Sequence, residues 1–486
     1  MIRRKNPPPQ WNPAHLAHEV SFLPGMSVFL GLSSATVVLT AFLLVAGGFL
    51  PFVKFTLLAG AVPATLAIVV CVLRWPVFLV YLVFVGVILD QWEGLGFLGI
   101  PYLTLTKVWV LLAGAALVAR AVAGRGMPPS LLFPTAVLAH LPFSFVCAIS
   151  ALAFAYSFRG AIQWLVAPVF LPIMAILLVQ FIPGRESAVR LLKAFVIFSF
   201  FPMGVAFLEA ILGRNLAGPP ENVSLGSMDI FRVAGNFENP NDLVVLFLFC
   251  VPLLLAWAFQ TPRWSSRLIL LLGAFFQCLA LLKTYSRSGY ISMGFAFFAL
   301  FLFGRGRLRL VGFLACLMGL ATMFYTPDVR DRMLTLVGIR AESAGVSQAI
   351  ASVNFRKTLA IAAWSEFVDH PFLGIGFGNF GARVKAHSTL ILGTTAENTY
   401  LQIMAEMGMA GISAFLLFLF FVWKTIETGL GRNRGDPLVE PLFVALAAGF
   451  FGFAANSLFD TNLADNLPWV LLAVTVHLIP PEGSRS

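Results

Sequence analysis

Charge is the first thing this sequence lacks. Asp, Glu, Lys and Arg make up 11% of 486 residues, against 59% hydrophobic residues and a mean hydropathy of +0.90. So few charges cannot cover the surface of a water-soluble domain. A cysteine framework is missing too. Cys71, Cys147, Cys250, Cys278 and Cys316 lie singly inside apolar runs with no CxxC pair, which excludes a disulfide scaffold and leaves small packing residues. The six histidines (His15, His18, His140, His370, His387 and His477) fall at no ligand spacing, so no metal site is read. No convincing internal repeat appears, which removes the sequence support for an inverted-repeat transporter. "GIGFGNFG" imitates a dinucleotide fingerprint but opens no βαβ unit, and reads as a tight loop.

What the sequence has in abundance is long apolar runs of about 20 residues, the length needed to cross a bilayer core. Roughly 14 candidate spans fall near 27–46, 52–73, 76–89, 105–122, 131–153, 161–182, 189–212, 241–259, 267–283, 288–303, 308–326, 398–423, 438–458 and 466–480. The expected fold is an all-α polytopic membrane protein with about 12–14 transmembrane helices. Solid apolar runs exclude a β-barrel, which would alternate. The segments are a tail (1–26), spans (27–212), an outer loop (213–240), spans (241–326), a large outer loop (327–397), spans (398–480) and a tail (481–486). The first tail, polar and proline-rich, does not read as a cleavable signal, because the apolar run after it is too long.

The formal charge of +10 does not indicate nucleic acid, because the basic residues punctuate the gaps between apolar runs. Arg74, Arg125, Arg263, Arg305 and Arg307 fall in gaps sharing a side with the N-terminus, which the positive-inside rule assigns to the cytoplasm. An even span count returns the C-terminus to that side. In the large outer loop, "NFRKTLAIAAWSEFVDH" places Phe355, Leu359, Ala363 and Phe367 at a spacing of four, one apolar face of an amphipathic helix.

Arginines on the outer side defy the topology rule and need another reason. In "TYSRSGYI", Arg287 opens a span beside Thr284, Tyr285, Ser286 and Ser288. A guanidinium fork, hydroxyls and a helix N-terminus suit phosphate oxygens; the plainer reading is an arginine snorkelling at the interface. Arg232 precedes "GNFENPND", where Asn241 or Asp242 is the expected helix cap and Asn236 or Asn239 could bond a sugar. In "TTAENTYLQIMAEMGMAG", Glu397 stands at the outer end of a span as a candidate general base. Glu406 lies deeper and needs a partner or cavity, and Gly408 and Gly411 offer a thin face to another helix. His387, outside with Arg383 and Lys385, is a further acid/base candidate.

"RVAGNFENPNDL", "YSRSGYI", "NFRKTLAIAAWSEFVDHPFLGIGFGNF" and "AENTYLQIMAEMGMAG" resemble, in order and spacing, the O-antigen ligase and polymerase superfamily of bacterial inner-membrane glycosyltransferases. The resemblance covers about 230 to 411. It implies transfer of a saccharide from a polyprenyl pyrophosphate donor to an acceptor hydroxyl, with no metal or other cofactor, at the periplasmic face, with both termini cytoplasmic. By position it makes Arg232, Arg287 and Glu397 catalytic and Arg356 a further basic contact. Asn239, Asn398, Ser286, Tyr285 and His387 become substrate-binding candidates. Ligases of this kind carry a His-Asn pair, nine residues, then Gly-x-x-Gly; here the pair is Glu397 and Asn398 before Gly408 and Gly411. Glutamate in place of histidine favours polymerisation of lipid-linked repeats into O-antigen, capsule or exopolysaccharide over ligation to a lipid or protein. The implied partners are the lipid-linked oligosaccharide, the bilayer, a flippase and a chain-length regulator, with no nucleic acid. The competing non-enzyme reading is a transporter or flippase of lipid-linked sugar.

Overall fold

The computed structural model describes residues 77–89, 104–122, 133–154, 158–216, 222–225, 228–237, 239–325, 330, 346–387 and 395–480. The first two candidate spans and both tails lie outside these residues. All the described residues belong to one compact unit, Trp75–Ser486.

The described chain is helical apart from one short hairpin. In order it forms α1 (Phe78–Leu89), α2 (Leu105–Val122), α3 (Thr135–Leu138), α4 (Leu141–Ala153), α5 (Phe158–Phe181), α6 (Arg185–Phe198) and α7 (Phe200–Leu212). The antiparallel strands β1 (Asn222–Leu225) and β2 (Met228–Phe231) follow. Then come α8 (Pro240–Gln260), α9 (Trp264–Lys283), α10 (Arg287–Phe303), α11 (Gly306–Tyr325) and α12 (Val346–Asp369). The chain closes with α13 (Phe380–His387), α14 (Thr399–Arg432), α15 (Val439–Asn456) and α16 (Leu467–His477). Among the described residues, seven helical segments are long and apolar enough to cross a membrane, and α1, most of α2, α10 and α16 are shorter apolar helices. The protein is therefore an all-α polytopic membrane protein, as its composition requires.

The core sits around α8. Almost every side chain from Pro240 to Ala258 is buried, including Phe247 and Phe249, which fits a helix apolar on all sides. α15 lies against α8 and α10. Its Gly449 faces the Phe249 ring and its Gly452 faces Ala296 and Leu248, so a side chain at either would hold the helices apart. Polar pairs join helices inside this apolar mass: Gln277 donates to Ser199 Oγ at 2.7 Å and Ser292 to Asn456 Oδ1 at 3.2 Å.

The amphipathic helix expected in the large outer loop is α12. Leu359 and Ala363 are fully buried in a cluster with Phe380, Ala396 and Ala405, and Phe355 packs against it. Ile361, Trp364 and Val368 on α12 are exposed, a second apolar face of the kind that suits a bilayer interface.

Two expectations about α14 are corrected. It runs on to Arg432, beyond the expected end near 423. Gly408 does not receive a neighbouring helix. It takes φ 59° and ψ −152°, breaking α14, and a loop enters the break. Ile375 N and Gly376 N donate to the carbonyls of Ala405 and Glu406, and Met409 N and Ala410 N donate to Pro371 and Phe372. The "HPFLGIGFGNFG" loop thus satisfies the backbone groups that the break orphans. A side chain at Gly374 would strike the Glu406 backbone, which explains that glycine.

Candidate functional site

At one end of the bundle, three helix starts and two loops converge. The α9–α10 turn is built from its own hydroxyls. Thr284 Oγ1 accepts from Ser286 N at 3.2 Å, and Ser286 Oγ accepts from Gly289 N at 3.1 Å, capping α10. Ser286 Oγ donates to Asn241 Oδ1 at 2.8 Å, so its one proton is spent and Ser288, 2.9 Å away, must donate to it. Asn241 is therefore not the cap of α8. Asn239 is, accepting from Asn241 N at 2.9 Å, while Asn241 ties α8 to α10. Asn236 is fully buried and donates to the Ile88 carbonyl.

Arg232 follows β2 and donates from Nε to the Thr284 carbonyl at 2.8 Å. Its loop is clamped by Glu209, whose Oε1 accepts from Leu216 N at 2.8 Å and whose Oε2 accepts from Ala234 N and Gly235 N at 2.9 and 2.7 Å. Arg356 reaches in from α12, donating to the Phe459 carbonyl at 2.9 Å and pairing with Glu397 Oε2 at 3.1 Å. Arg287 at the start of α10 is repelled by both Arg356 and Arg232. Three guanidiniums from separate parts of the chain thus share one neighbourhood. Like charges in a partly desolvated site are costly unless anions balance them.

Two carboxylates supply part of that balance. One is Glu397, half-buried on Arg356. The other, Asp460, is a residue that sequence reasoning missed. Burial raises its carboxyl above the usual range, while Arg356, Thr461 N, the Asn241 amide and Arg232 pull it back. It is partly open by area yet crowded by protein. Asn241 thus links Ser286 to Asp460, joining the α10 turn, the start of α8 and the α15–α16 loop. Asp465, on the same loop, is raised well above its reference of 3.8 by burial, with Asp242 and Asp460 adding like charge. The signal for these acids was their place in "SLFDTNLADNLPW", a connector too short to need two aspartates.

Backbone strain marks the same place. Among the described residues only two that are not glycine have positive φ: Tyr285 at 49° and Glu397 at 52°. Each stands directly before an N-cap, Ser286 for α10 and Asn398 for α14. Asn398 accepts from Leu401 N at 3.0 Å and donates to the Leu458 carbonyl at 2.8 Å. Left-handed backbone at a bulky residue persists only where its surroundings over-determine it, and such residues cluster at functional sites.

Arg232, Arg287, Arg356 and Glu397 are thus brought together, with Tyr285, Ser286, Asn239 and Asn398 shaping the turns and caps around them. The side chain of His387 lies outside the described residues. Glu406 Oε1 accepts from Phe380 N at 2.9 Å, holding the loop that fills the α14 break.

Residues 271–416 match the family model described as O-antigen ligase. No curated protein matches the chain. The matched segment holds Arg287, Arg356 and Glu397 among the charged groups that the fold converges, and it supports the likeness to the O-antigen ligase/polymerase superfamily.

Proposed function

We propose that the protein is a membrane glycosyltransferase that polymerises polyprenyl-pyrophosphate-linked oligosaccharide repeats at the periplasmic face of a bacterial inner membrane. The observation that carries this reading is the meeting of Arg232, Arg287 and Arg356 with Glu397, which pairs with one of them at 3.1 Å. In the reaction, the acceptor hydroxyl oxygen attacks the anomeric carbon of the donor sugar. A new C–O bond forms as the bond to the pyrophosphate oxygen breaks, and the electron pair leaves with the lipid pyrophosphate. Arg232 and Arg287 stabilise that departing charge, the task for which fixed donors in a dry site are most effective. Glu397 takes the hydroxyl proton. Arg356 keeps the carboxylate placed and adds charge for the leaving group.

Ligation is the second reading, favoured by the description of the matched family. A glutamate at the histidine position of ligases favours polymerisation. A transport role is disfavoured by the intramembrane acids, since Glu209 and Glu406 are engaged with backbone N–H groups rather than lining a path. The deciding experiment supplies purified protein with one lipid-linked oligosaccharide and follows product length on a gel. A ladder of repeats supports polymerisation; a single transfer only to an added lipid acceptor assigns ligation; no transfer with either acceptor rejects both.

A further inference from the structure

α12 has three faces rather than the usual two. Leu359 and Ala363 share the first, and both are fully buried in the core. Thr358, Ser365 and Asp369 share a second arc and are exposed, as a face in water would be. Ile361, Trp364 and Val368 share a third arc, roughly 60° wide at 3.6 residues per turn, and they too are exposed. The Trp364 ring rests against Phe367, with centroids 5.5 Å apart. Past the helix end, apolar exposure continues at Phe372, 78% exposed, and Leu373. Lys357 lies on the third arc as well, one turn before Ile361, and is exposed.

Helix rise sets the depth of this third face. On α14, Lys424 and Glu427 form an exposed ion pair at 2.8 Å, which puts their level outside the hydrocarbon. From Lys424 to Gly408 the helix climbs roughly 24 Å at 1.5 Å per residue, inside a hydrocarbon core of about 30 Å. Phe372 meets α14 at that break, its carbonyl accepting from Ala410 N at 3.1 Å beside the exposed Met409. The body of α12 packs with Ala405 and Leu401, which the same rise puts roughly 28 and 34 Å from Lys424, at headgroup level. Asn379 Nδ2 donates to the Phe154 carbonyl at 2.6 Å, at the end of the span Thr135–Ala153, where Ile149, Leu152 and Phe154 are exposed. The loop after α12 is thus bonded to two spans at points where their apolar side chains face outward.

We propose that the third face of α12, with Phe372 and Leu373, is a membrane-binding surface seated in the leaflet on the Glu397 side, at the boundary between acyl chains and headgroups. α12 then lies at the corner of three media, with one face on the bundle, one in water and one in lipid. Trp364 and Lys357 suit that boundary, as an aromatic ring at headgroup level and an ammonium whose stem reaches headgroup phosphates. A partner in water cannot reach Phe372 at its depth, whereas the leaflet is already there. The consequence for the site rests on the function proposed above. Arg356 stands on α12 and pairs with Glu397 at 3.1 Å. Seating the helix therefore fixes the depth of both side chains relative to a substrate whose pyrophosphate lies among the headgroups.

The test puts the full-length protein in nanodiscs of phosphatidylglycerol and phosphatidylethanolamine, with a fluorescent amino acid at Val368, Phe372 or Ser365 in turn. Lipid carrying a nitroxide near the top of its acyl chains should quench the probe at Val368 and Phe372 about threefold or more and leave it nearly unchanged at Ser365. Equal quenching at all three positions, or none at Val368 and Phe372, would overturn the surface. Benzoylphenylalanine at Trp364 should form lipid adducts on irradiation; adducts with a second copy of the chain or with another protein would overturn it too. Val368→Glu combined with Phe372→Glu should lower sugar transfer in nanodiscs about tenfold at unchanged melting temperature, because both side chains are exposed. Val368→Leu combined with Phe372→Leu should keep the wild-type rate. Transfer unaffected by the glutamates, or lost equally with the leucines, would contradict the setting of depth. If the wild-type protein transfers no sugar, the proposed function fails, while quenching still decides whether the surface sits in the membrane.

Discussion

At the scale of single residues, charge placement decides the outcome. Glu397→Gln keeps the shape and removes the proton acceptor, so turnover should fall by about 10²–10⁴-fold with little change in donor affinity; a rate near wild type would move the base role elsewhere, first to Asp460. Arg287→Lys keeps the charge but loses the planar fork, and polymer formation should fall at least tenfold at equal expression. Asp465 gives a pH test. Its carboxyl is raised above its reference of 3.8 by burial, then by Asp242 and Asp460, so the folded protein holds the proton more tightly than the unfolded chain. Between the reference value and the raised one, stability therefore falls as pH rises. Asp465→Asn should flatten that slope and raise thermal stability at neutral pH, as measured by melting at several pH values in detergent. Arg287 and Glu397 were legible from sequence because they are charges at the ends of apolar runs, and Arg232 because it is an arginine in an outer loop, against the positive-inside bias. Asp460 was not, since its importance comes from Arg356 and Arg232, both distant in the chain.

At the scale of elements, α12 was legible and the break in α14 was not. The four-residue apolar spacing of Phe355, Leu359 and Ala363 is a local signal, and those side chains meet the core. "MAEMGMAG" carries helix formers around two glycines, and nothing local distinguishes a thin helix face from a break. The break is set by Pro371 and Phe372, whose carbonyls take the N–H groups freed beyond Gly408. It has a cost: φ 59° with ψ −152° is open only to glycine. Gly408→Ala should destabilise the protein by about 1–3 kcal/mol from backbone strain alone. Its new Cβ would also press on the Pro371 and Phe372 backbone, loosening the loop that Glu406 holds. A melting temperature unchanged in the alanine variant would contradict this account of the break.

At the scale of the whole molecule, composition alone established a polytopic helical membrane protein, because too few charges exist to face water. The positive-inside rule adds an orientation, and it is testable. Reporter fusions after Arg263 and Arg307 should report cytoplasm, and fusions at Asn222 and Ser347 should report periplasm; a cytoplasmic signal at Ser347 would place the arginine cluster on the wrong face for the chemistry proposed. What sequence could not supply is convergence. Arg232 is fixed by Glu209 and the α9–α10 turn, Arg356 by α12, and Arg287 by its cap, and only the packed bundle brings the three together. The central claim is that this cluster grips the lipid pyrophosphate, and equilibrium binding measures it most directly. Purified wild-type protein, Arg287→Lys and Arg232→Ala are titrated with long-chain polyprenyl diphosphate. Affinity weaker by about tenfold or more in each variant, with melting behaviour unchanged, is the expected result. Equal affinity in all three would contradict it and return both arginines to anchors at the membrane interface.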